Sequence, residues 1–127
     1  MTSTTVDVDS IVATATDYAM AFYVGDRGER AERIKRVLHP LLAKRSPSHI
    51  ISEGKFYEWT TPYMIQIAGD SVTNPEGRHK CEVKVLDISG NIASVRLDAD
   101  WGVDYMHLAK LDGQWKIVNV LWDEVKP

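Results

Sequence analysis

The chain has 127 residues, of which 44% are hydrophobic and 26% charged, and its formal net charge is −3. This length is typical of one domain, here residues 1–127, which buries enough core to fold without disulfides or metals. The slightly acidic balance argues against nucleic-acid binding, which usually needs a basic patch. Cys81 is the only cysteine, so an intramolecular disulfide and a cysteine-rich metal site are excluded.

The first ten residues are polar and acidic, and they lack the basic segment and apolar core of a secretory signal. No apolar run approaches the roughly 20 residues that a membrane span needs. We therefore expect a cytoplasmic protein that does not bind membranes.

The first half of the chain has helical spacing. Apolar residues recur every three or four positions over Thr5–Val24 and predict a first helix that stops at Gly25. A second helix is predicted over Arg27–Leu38, with Asp26 as its cap and Pro40 as its end.

The middle of the chain mixes strand and helix signals. Residues 49–59 favour a short hairpin that turns at Gly54. Thr61 and Pro62 then open a third helix over Tyr63–Ala68, because proline is tolerated in a first turn. A loop is predicted over residues 70–79.

From Lys80 onward the hydrophobic period changes to two, which predicts a four-stranded antiparallel meander. Its turns are predicted at residues 89–91, 100–103 and 112–113, the last being an Asp-Gly pair. Helices followed by strands indicate an α+β fold.

Pairing outward from those turns predicts that Leu97 faces Met106 and that Met106 faces Asn119. In this register one face is apolar and covered by helices, with Asn119 as a polar exception. The other face mixes charged and apolar groups, and an exposed apolar strip usually marks an interface. We predict a homodimer through this second face, which would use Tyr105, His107, Val118, Val120 and Trp122.

Three segments resemble a known family. The first helix ends in Tyr-Val-Gly-Asp, the second in Leu-His-Pro, and residues 111–122 read Leu-Asp-Gly-Gln-Trp-Lys-Ile-Val-Asn-Val-Leu-Trp. With these motifs the chain resembles the nuclear transport factor 2-like superfamily, in particular its putative lumazine-binding branch, whose relatives include SnoaL-like polyketide cyclases and ketosteroid isomerases. The resemblance implies a cystatin-like cone, in which a curved antiparallel sheet wraps three helices around a pocket.

Several polar residues are candidates for chemistry. His39 can accept a proton near neutral pH, or it can bond the end of the second helix. Asn119 can hold a ligand or a helix backbone. Asp98 and Asp100 share one side of a strand, where they can act as an acid–base pair or join Arg96 in a solvated ion cluster.

Aromatic residues are numerous in the half of the chain expected to form the pocket, and small-ligand pockets are lined by such groups. The predicted ligand-binding residues are Tyr18, His39, Trp59, Tyr63, Trp101 and Asn119. The four histidines lack metal-ligand spacing, and phosphate-binding or nucleophile motifs do not occur. We therefore expect neither metal nor cofactor, and we assign no catalytic residue.

Three functions remain open, because this fold does not determine activity. The first is a small-molecule binding protein. The second is an isomerase, cyclase or dehydratase that uses His39, Asp98 or Asp100 as general base. The third is a dimeric interaction module.

Overall fold

The computed structural model describes residues 5–48, 57–70 and 77–124. Its elements in chain order are α1 (Thr5–Met20), α2 (Arg27–Val37), β1 (Leu38–Ser46), β2 (Tyr57–Trp59), α3 (Thr61–Asp70), β3 (Cys81–Ser89), β4 (Ile92–Ala99), β5 (Gly102–Leu111) and β6 (Gln114–Glu124). The strands form one sheet in the order β2-β1-β6-β5-β4-β3. In this part of the chain three helices accompany a curved, unclosed sheet, so the predicted α+β cone is confirmed.

The first two helices occupy the predicted segments. α1 ends at Met20 rather than Val24, because the chain turns over residues 21–23. The Asp26 side chain accepts the backbone N–H of Glu29 at 2.9 Å, and the Glu29 carboxylate accepts the N–H of Asp26. This reciprocal capping box confirms the predicted start of α2. None of the described helices is long and apolar enough to cross a membrane.

β1 is a strand that the sequence did not predict. Leu38 leaves α2 with an extended backbone, at φ −92° and ψ 134°, and the strand continues through Pro40. β1 pairs parallel with β6, and this ladder is irregular between Leu38 and Ala43. Pro40 lies in that irregular stretch, which is where a sheet tolerates a residue without an N–H. The sheet is therefore mixed rather than wholly antiparallel.

The predicted hairpin is described only in part. Residues 49–56 lie outside the described residues, as do residues 71–76 of the predicted loop. Tyr57–Trp59 forms β2 and pairs antiparallel with β1, so that Trp59 faces Lys44. The third helix extends over Thr61–Asp70 and is therefore longer at both ends than the predicted Tyr63–Ala68.

The antiparallel meander of β3, β4, β5 and β6 is confirmed. Leu111 pairs with Gln114 across the predicted Asp-Gly turn. Asp112 and Gly113 both have positive φ, 50° and 77°, as a tight turn of this hand requires.

The predicted register between β4 and β5 is wrong. Their turn consists of residues 100–101 rather than four residues, so Leu97 faces Asp104. Gly102 makes the tight turn possible, because its φ of 148° is a conformation that side chains rarely adopt. A Cβ atom there would lie 2.0 Å from the carbonyl oxygen of Asp123.

The predicted register of β6 is confirmed as far as Ile117 and is wrong beyond it, because the strand contains a bulge. His107 pairs with Asn119 whereas Leu108 pairs with Ile117, so Val118 is an extra residue. One extra residue moves all later side chains to the opposite face of a sheet. Asn119 therefore lies on the outer face, away from the helices, and not on the apolar face where it was predicted.

The bulge also removes Val120 and Trp122 from the predicted dimer face. Val120 is buried in the core, and Trp122 packs against the same core from the helix side. The outer side of the sheet keeps Tyr105, His107 and Val118. The homodimer through this side stays a prediction.

Candidate functional site

A cavity of about 140 Å³ lies between the end of α1, helix α3 and strands β1, β2 and β6. Its lining residues are Phe22, Lys44, Trp59, Ile67, Trp101 and Trp122. Five of these six are apolar or aromatic, and Lys44 is the charged one. Small-molecule sites have this composition, in which apolar walls carry few polar groups.

Lys44 reaches the cavity because of its position in β1. Side chains alternate along a strand, and beyond the irregular stretch of β1 the buried positions are Leu42, Lys44 and Ser46. Arg45 points the other way and forms an ion pair with Glu58 at 3.7 Å. The alternation that buries Leu42 therefore also buries the ammonium of Lys44.

Aromatic rings surround the Lys44 ammonium. Nζ lies 5.1 Å from the ring centre of Tyr18, 5.6 Å from those of Phe22 and Trp59, and 5.7 Å from that of Trp122. It also donates a hydrogen bond to the Tyr18 hydroxyl. Ring faces attract a cation, so these contacts favour the charged amine.

Asp104 lies beside this cluster and is fully buried on β5, opposite Trp122 on β6. Its Oδ1 accepts the indole N–H of Trp101 at 3.0 Å. Its Oδ2 has no hydrogen-bond partner within the described part of the chain. Burial raises the pKa of Asp104 to about 6, against the opposing effects of the Lys44 charge and the Trp101 hydrogen bond.

The same environment shifts the other two ionisable groups of the cluster. Burial lowers the pKa of Lys44 to about 8, and the charge of Asp104 offsets part of this effect. Burial, followed by the charge of Asp104, raises the pKa of Tyr18 well above its ordinary value, so its hydroxyl stays protonated. Both Lys44 and Asp104 therefore have pKa values close to neutral pH, so either group can gain or lose a proton there.

A second buried polar atom, which unlike Oδ2 of Asp104 belongs to a residue that lines the cavity, also lacks a protein partner. Trp122 lines the cavity, and its buried indole N–H finds no acceptor among the residues described. Buried polar groups are nearly always hydrogen-bonded, so such exceptions deserve a physical explanation. Together with Oδ2 of Asp104, this site has one donor and one acceptor that the described protein groups do not satisfy.

Residues 6–123 match the putative lumazine-binding family. The chain belongs to this family. The resemblance inferred from the sequence motifs, both to this family and to the nuclear transport factor 2-like superfamily, is thereby confirmed. Among curated proteins, none matches the chain.

Solved structures agree on the fold. A nuclear transport factor 2-like protein of unknown function from Silicibacter pomeroyi has a TM-score of 0.74 at 18% identity, covering 98% of this chain and 100% of that one. A similar protein of unknown function from Shewanella baltica has a TM-score of 0.74 at 15% identity, with 100% of both chains covered. A cystatin-like protein of unknown function from Nostoc punctiforme has a TM-score of 0.65 at 13% identity, covering 98% and 96%. Identities this low establish the fold alone.

Two of the predicted ligand-binding residues, Trp59 and Trp101, line the cavity of this family member. A third, Tyr18, does not line it but accepts the hydrogen bond from Lys44. The rings of Tyr18 and Trp101 pack edge to face, with their centres 6.4 Å apart.

His39 and Tyr63 lie elsewhere. Nδ1 of His39 accepts the N–H of Leu41 at 3.0 Å, and its carbonyl accepts the hydroxyl of Thr61 at 2.7 Å. The backbone of His39 thus joins the start of β1 to the start of α3, and its ring bonds within β1. The Tyr63 side chain is exposed on α3.

Asn119 lies in a different depression, a groove of about 340 Å³ on the outer face. Its amide nitrogen is 3.3 Å from Nδ1 of His107, so the two polar groups satisfy each other. This groove is larger than the cavity, but the cavity is the stronger candidate because it holds a buried charge and unsatisfied polar atoms.

The paired carboxylates also lie outside the cavity. Arg96 donates two hydrogen bonds to Asp98, at 2.9 and 3.1 Å, and holds the pKa of that carboxyl below its usual range. Asp100 accepts the backbone N–H groups of His79 and Lys80 at 2.9 and 3.0 Å. Both carboxylates serve the local structure, in the manner of an ion cluster and a turn cap.

Sequence analysis missed Lys44 and Asp104, which carry the electrostatics of the site. Lys44 was missed because β1 was not predicted. Asp104 had a usable signal, since it lies two positions before Met106 and therefore on the same predicted inward face. A lone acidic residue on an apolar strand face is itself the indication of a site.

Proposed function

We propose that this protein binds a small molecule in the cavity between Trp59, Trp101 and Trp122, in contact with Lys44. The observation that carries the proposal is the buried ammonium in an aromatic cavity wall. Burying a charged amine is costly unless something compensates for it. A ligand oxygen at Nζ would add that compensation.

The walls define the chemistry of the ligand. Tryptophan and phenylalanine rings favour a flat, unsaturated compound, because such rings stack. Lys44 and the N–H of Trp122 are donors, and they favour a carboxylate, enolate or carbonyl oxygen. A cavity of about 140 Å³ holds about one aromatic ring. The family takes its name from lumazine, a flat heterocycle with carbonyl oxygens that shares this chemistry, although its two fused rings exceed the single ring that the cavity holds.

The two alternatives have less support. An enzyme with His39, Asp98 or Asp100 as general base would need one of them in the cavity, and all three are engaged elsewhere. An interaction module would require the outer face to matter more than the cavity, and the loss of Val120 and Trp122 makes that face less apolar than predicted.

Tryptophan fluorescence tests the proposal, because three tryptophans line the cavity. The probes are benzoate, benzaldehyde and lumazine, each titrated into the full chain. We expect saturable quenching by at least one probe, and at least tenfold weaker binding in Lys44→Met. Lys84→Met is the matched control, because Lys84 is exposed on β3. Equal affinities in wild type and Lys44→Met, or no quenching by any probe, would contradict the proposal.

A further inference from the structure

We propose that Lys44 forms a reversible imine with an aldehyde or ketone bound in the cavity. The inference rests on the proposed function, since the carbonyl compound must first occupy the same space. It adds that the ligand class is an aromatic or conjugated carbonyl compound and that the bound state is covalent.

The position of the amine carries the inference. Nζ of Lys44 lies at the wall of a cavity that is otherwise apolar, where a flat carbonyl compound stacked on the tryptophans would present its electrophilic carbon. Lys44 is only 6% exposed, so its environment is set by the protein rather than by water. The aromatic rings around Nζ limit the access of water to an imine formed there.

The hydrogen-bond partner of Lys44 is the second observation. Its Nζ is bonded to Tyr18, a neutral phenol, rather than to a carboxylate. Lys110 forms an ion pair with Asp7 at 3.0 Å, and a carboxylate contact of this kind holds an amine in its protonated, unreactive form. A phenol stabilises the ammonium less than a carboxylate does, so the neutral, nucleophilic amine is easier to form.

The acid–base balance of the cluster supports this chemistry. With a pKa of about 8, about one in ten Lys44 amines is neutral at pH 7, against about one in three thousand for an ordinary lysine. Desolvated lysines of this type are the ones that form Schiff bases. The ionisable groups that face Lys44 are Tyr18, which stays neutral, and Asp104, whose charge opposes the shift.

The reaction balances without any oxidant or reductant. The lone pair of neutral Nζ attacks the carbonyl carbon and the C=O π electrons move to oxygen; transfer of one proton from nitrogen to oxygen then gives a carbinolamine. The C–O bond breaks and hydroxyl leaves as water after gaining a proton, while the nitrogen lone pair forms the C=N bond and nitrogen releases its second proton. Amine plus carbonyl compound therefore give imine plus water.

Reductive trapping tests the inference. The full chain is incubated with limiting benzaldehyde, treated with cyanoborohydride, and analysed by intact mass and peptide mapping. We expect one benzyl group on Lys44, added at least ten times faster than on exposed Lys84, at a rate that rises with pH around 8 rather than 10.5. Lys84→Met should behave as wild type. Labelling spread evenly over the surface lysines, or unchanged in Lys44→Met, would overturn the inference.

Two comparisons separate this inference from the proposed function. Lys44→Arg keeps the cation but has no amine that forms an imine, so it should lose rapid trapping, even if Lys44→Met folds poorly. If benzaldehyde quenches fluorescence in a Lys44-dependent manner but leaves no adduct, the imine is ruled out and the binding function stands. If neither quenching nor adduct is observed, both proposals fail.

Discussion

The two ends of α1 contact clusters with the same three residue types, an aspartate, a lysine and a tryptophan. Near the β5–β6 turn, Oδ1 of Asp7 accepts two hydrogen bonds, one from Nζ of Lys110 at 3.0 Å and one from the indole N–H of Trp115 at 3.2 Å. We call Asp7, Lys110 and Trp115 the closed cluster. Its ammonium and carboxylate are in direct contact and partly reached by solvent.

At the other end of α1, Lys44, Trp101 and Asp104 form what we call the open cluster. Trp101 again donates to the aspartate, at 3.0 Å, but the lysine bonds to Tyr18 instead. Both charged groups are buried, and the cavity lies beside them.

The difference shows how one set of residues serves two purposes. A direct pair at a partly exposed site stabilises the fold at small desolvation cost. Buried charges held apart lose hydration without gaining full pairing, and they lower stability. The open cluster therefore lowers the stability of the fold. Its lysine and aspartate are not paired with each other, so they remain able to interact with a ligand.

Asp104→Asn gives the largest expected effect. Burial raises the folded-state pKa to about 6, whereas the unfolded value is near 3.8, so the folded protein holds this proton more tightly. The stability that Asp104 contributes is present below pH about 4 and is lost as pH rises through 6. The amide removes that loss, and we expect a gain of about 2 kcal/mol at pH 7, measured by urea unfolding. The gain should shrink at pH 4 and disappear at a pH of about 2.5, where the carboxyl is protonated in both states.

Asp7→Asn should have the opposite sign. The substitution leaves the Lys110 ammonium without its carboxylate, and one amide oxygen replaces a charge-assisted acceptor shared by two donors. We expect a loss of about 1.5 kcal/mol at pH 7 in the same assay. If the two aspartate-to-asparagine variants change stability in the same direction, the distinction between the closed and open clusters is wrong.

Lys44→Met tests whether Lys44 is the charged partner of Asp104 in the open cluster, through the pKa of Asp104. The Lys44 charge lowers the pKa of Asp104, so its removal should move that pKa upward from about 6, by roughly one unit. Trp101 donates to Asp104, and the pH dependence of tryptophan fluorescence can follow the change. Lys110→Met is the control, and a midpoint that moves equally in both variants would contradict the assigned partner.

The sequence predicted the elements well where the signal is local. Hydrophobic spacing located α1, α2 and the meander, and Asp112 with Gly113 fixed the last turn. β1 was missed because a strand that contains Pro40 has a weak local signal, and its parallel partner β6 lies more than 70 positions along the chain. Parallel pairing of this kind depends on tertiary structure that no short window contains.

The residues of the candidate site also fall into those that the sequence predicted and those that it did not. Tyr18, Trp59 and Trp101 were predicted because aromatic residues in a pocket-forming half are the usual lining. Lys44 and Asp104 were not, because charged residues are ordinarily assigned to the surface. Their burial follows from strand alternation once the register is known, and the register depends on Gly102 and on one bulge.

Because of that bulge, the residues that line the cavity depend on the number of residues in β6 as well as on their identity. Val118 is the one residue by which β6 exceeds its partner, and it turns Trp122 inward. Deletion of this one residue would leave the identity of every neighbouring side chain unchanged. It would nevertheless turn Trp122 from the cavity wall to the outer surface of the sheet. In this protein insertions and deletions within β6 are therefore a more drastic form of variation than substitutions.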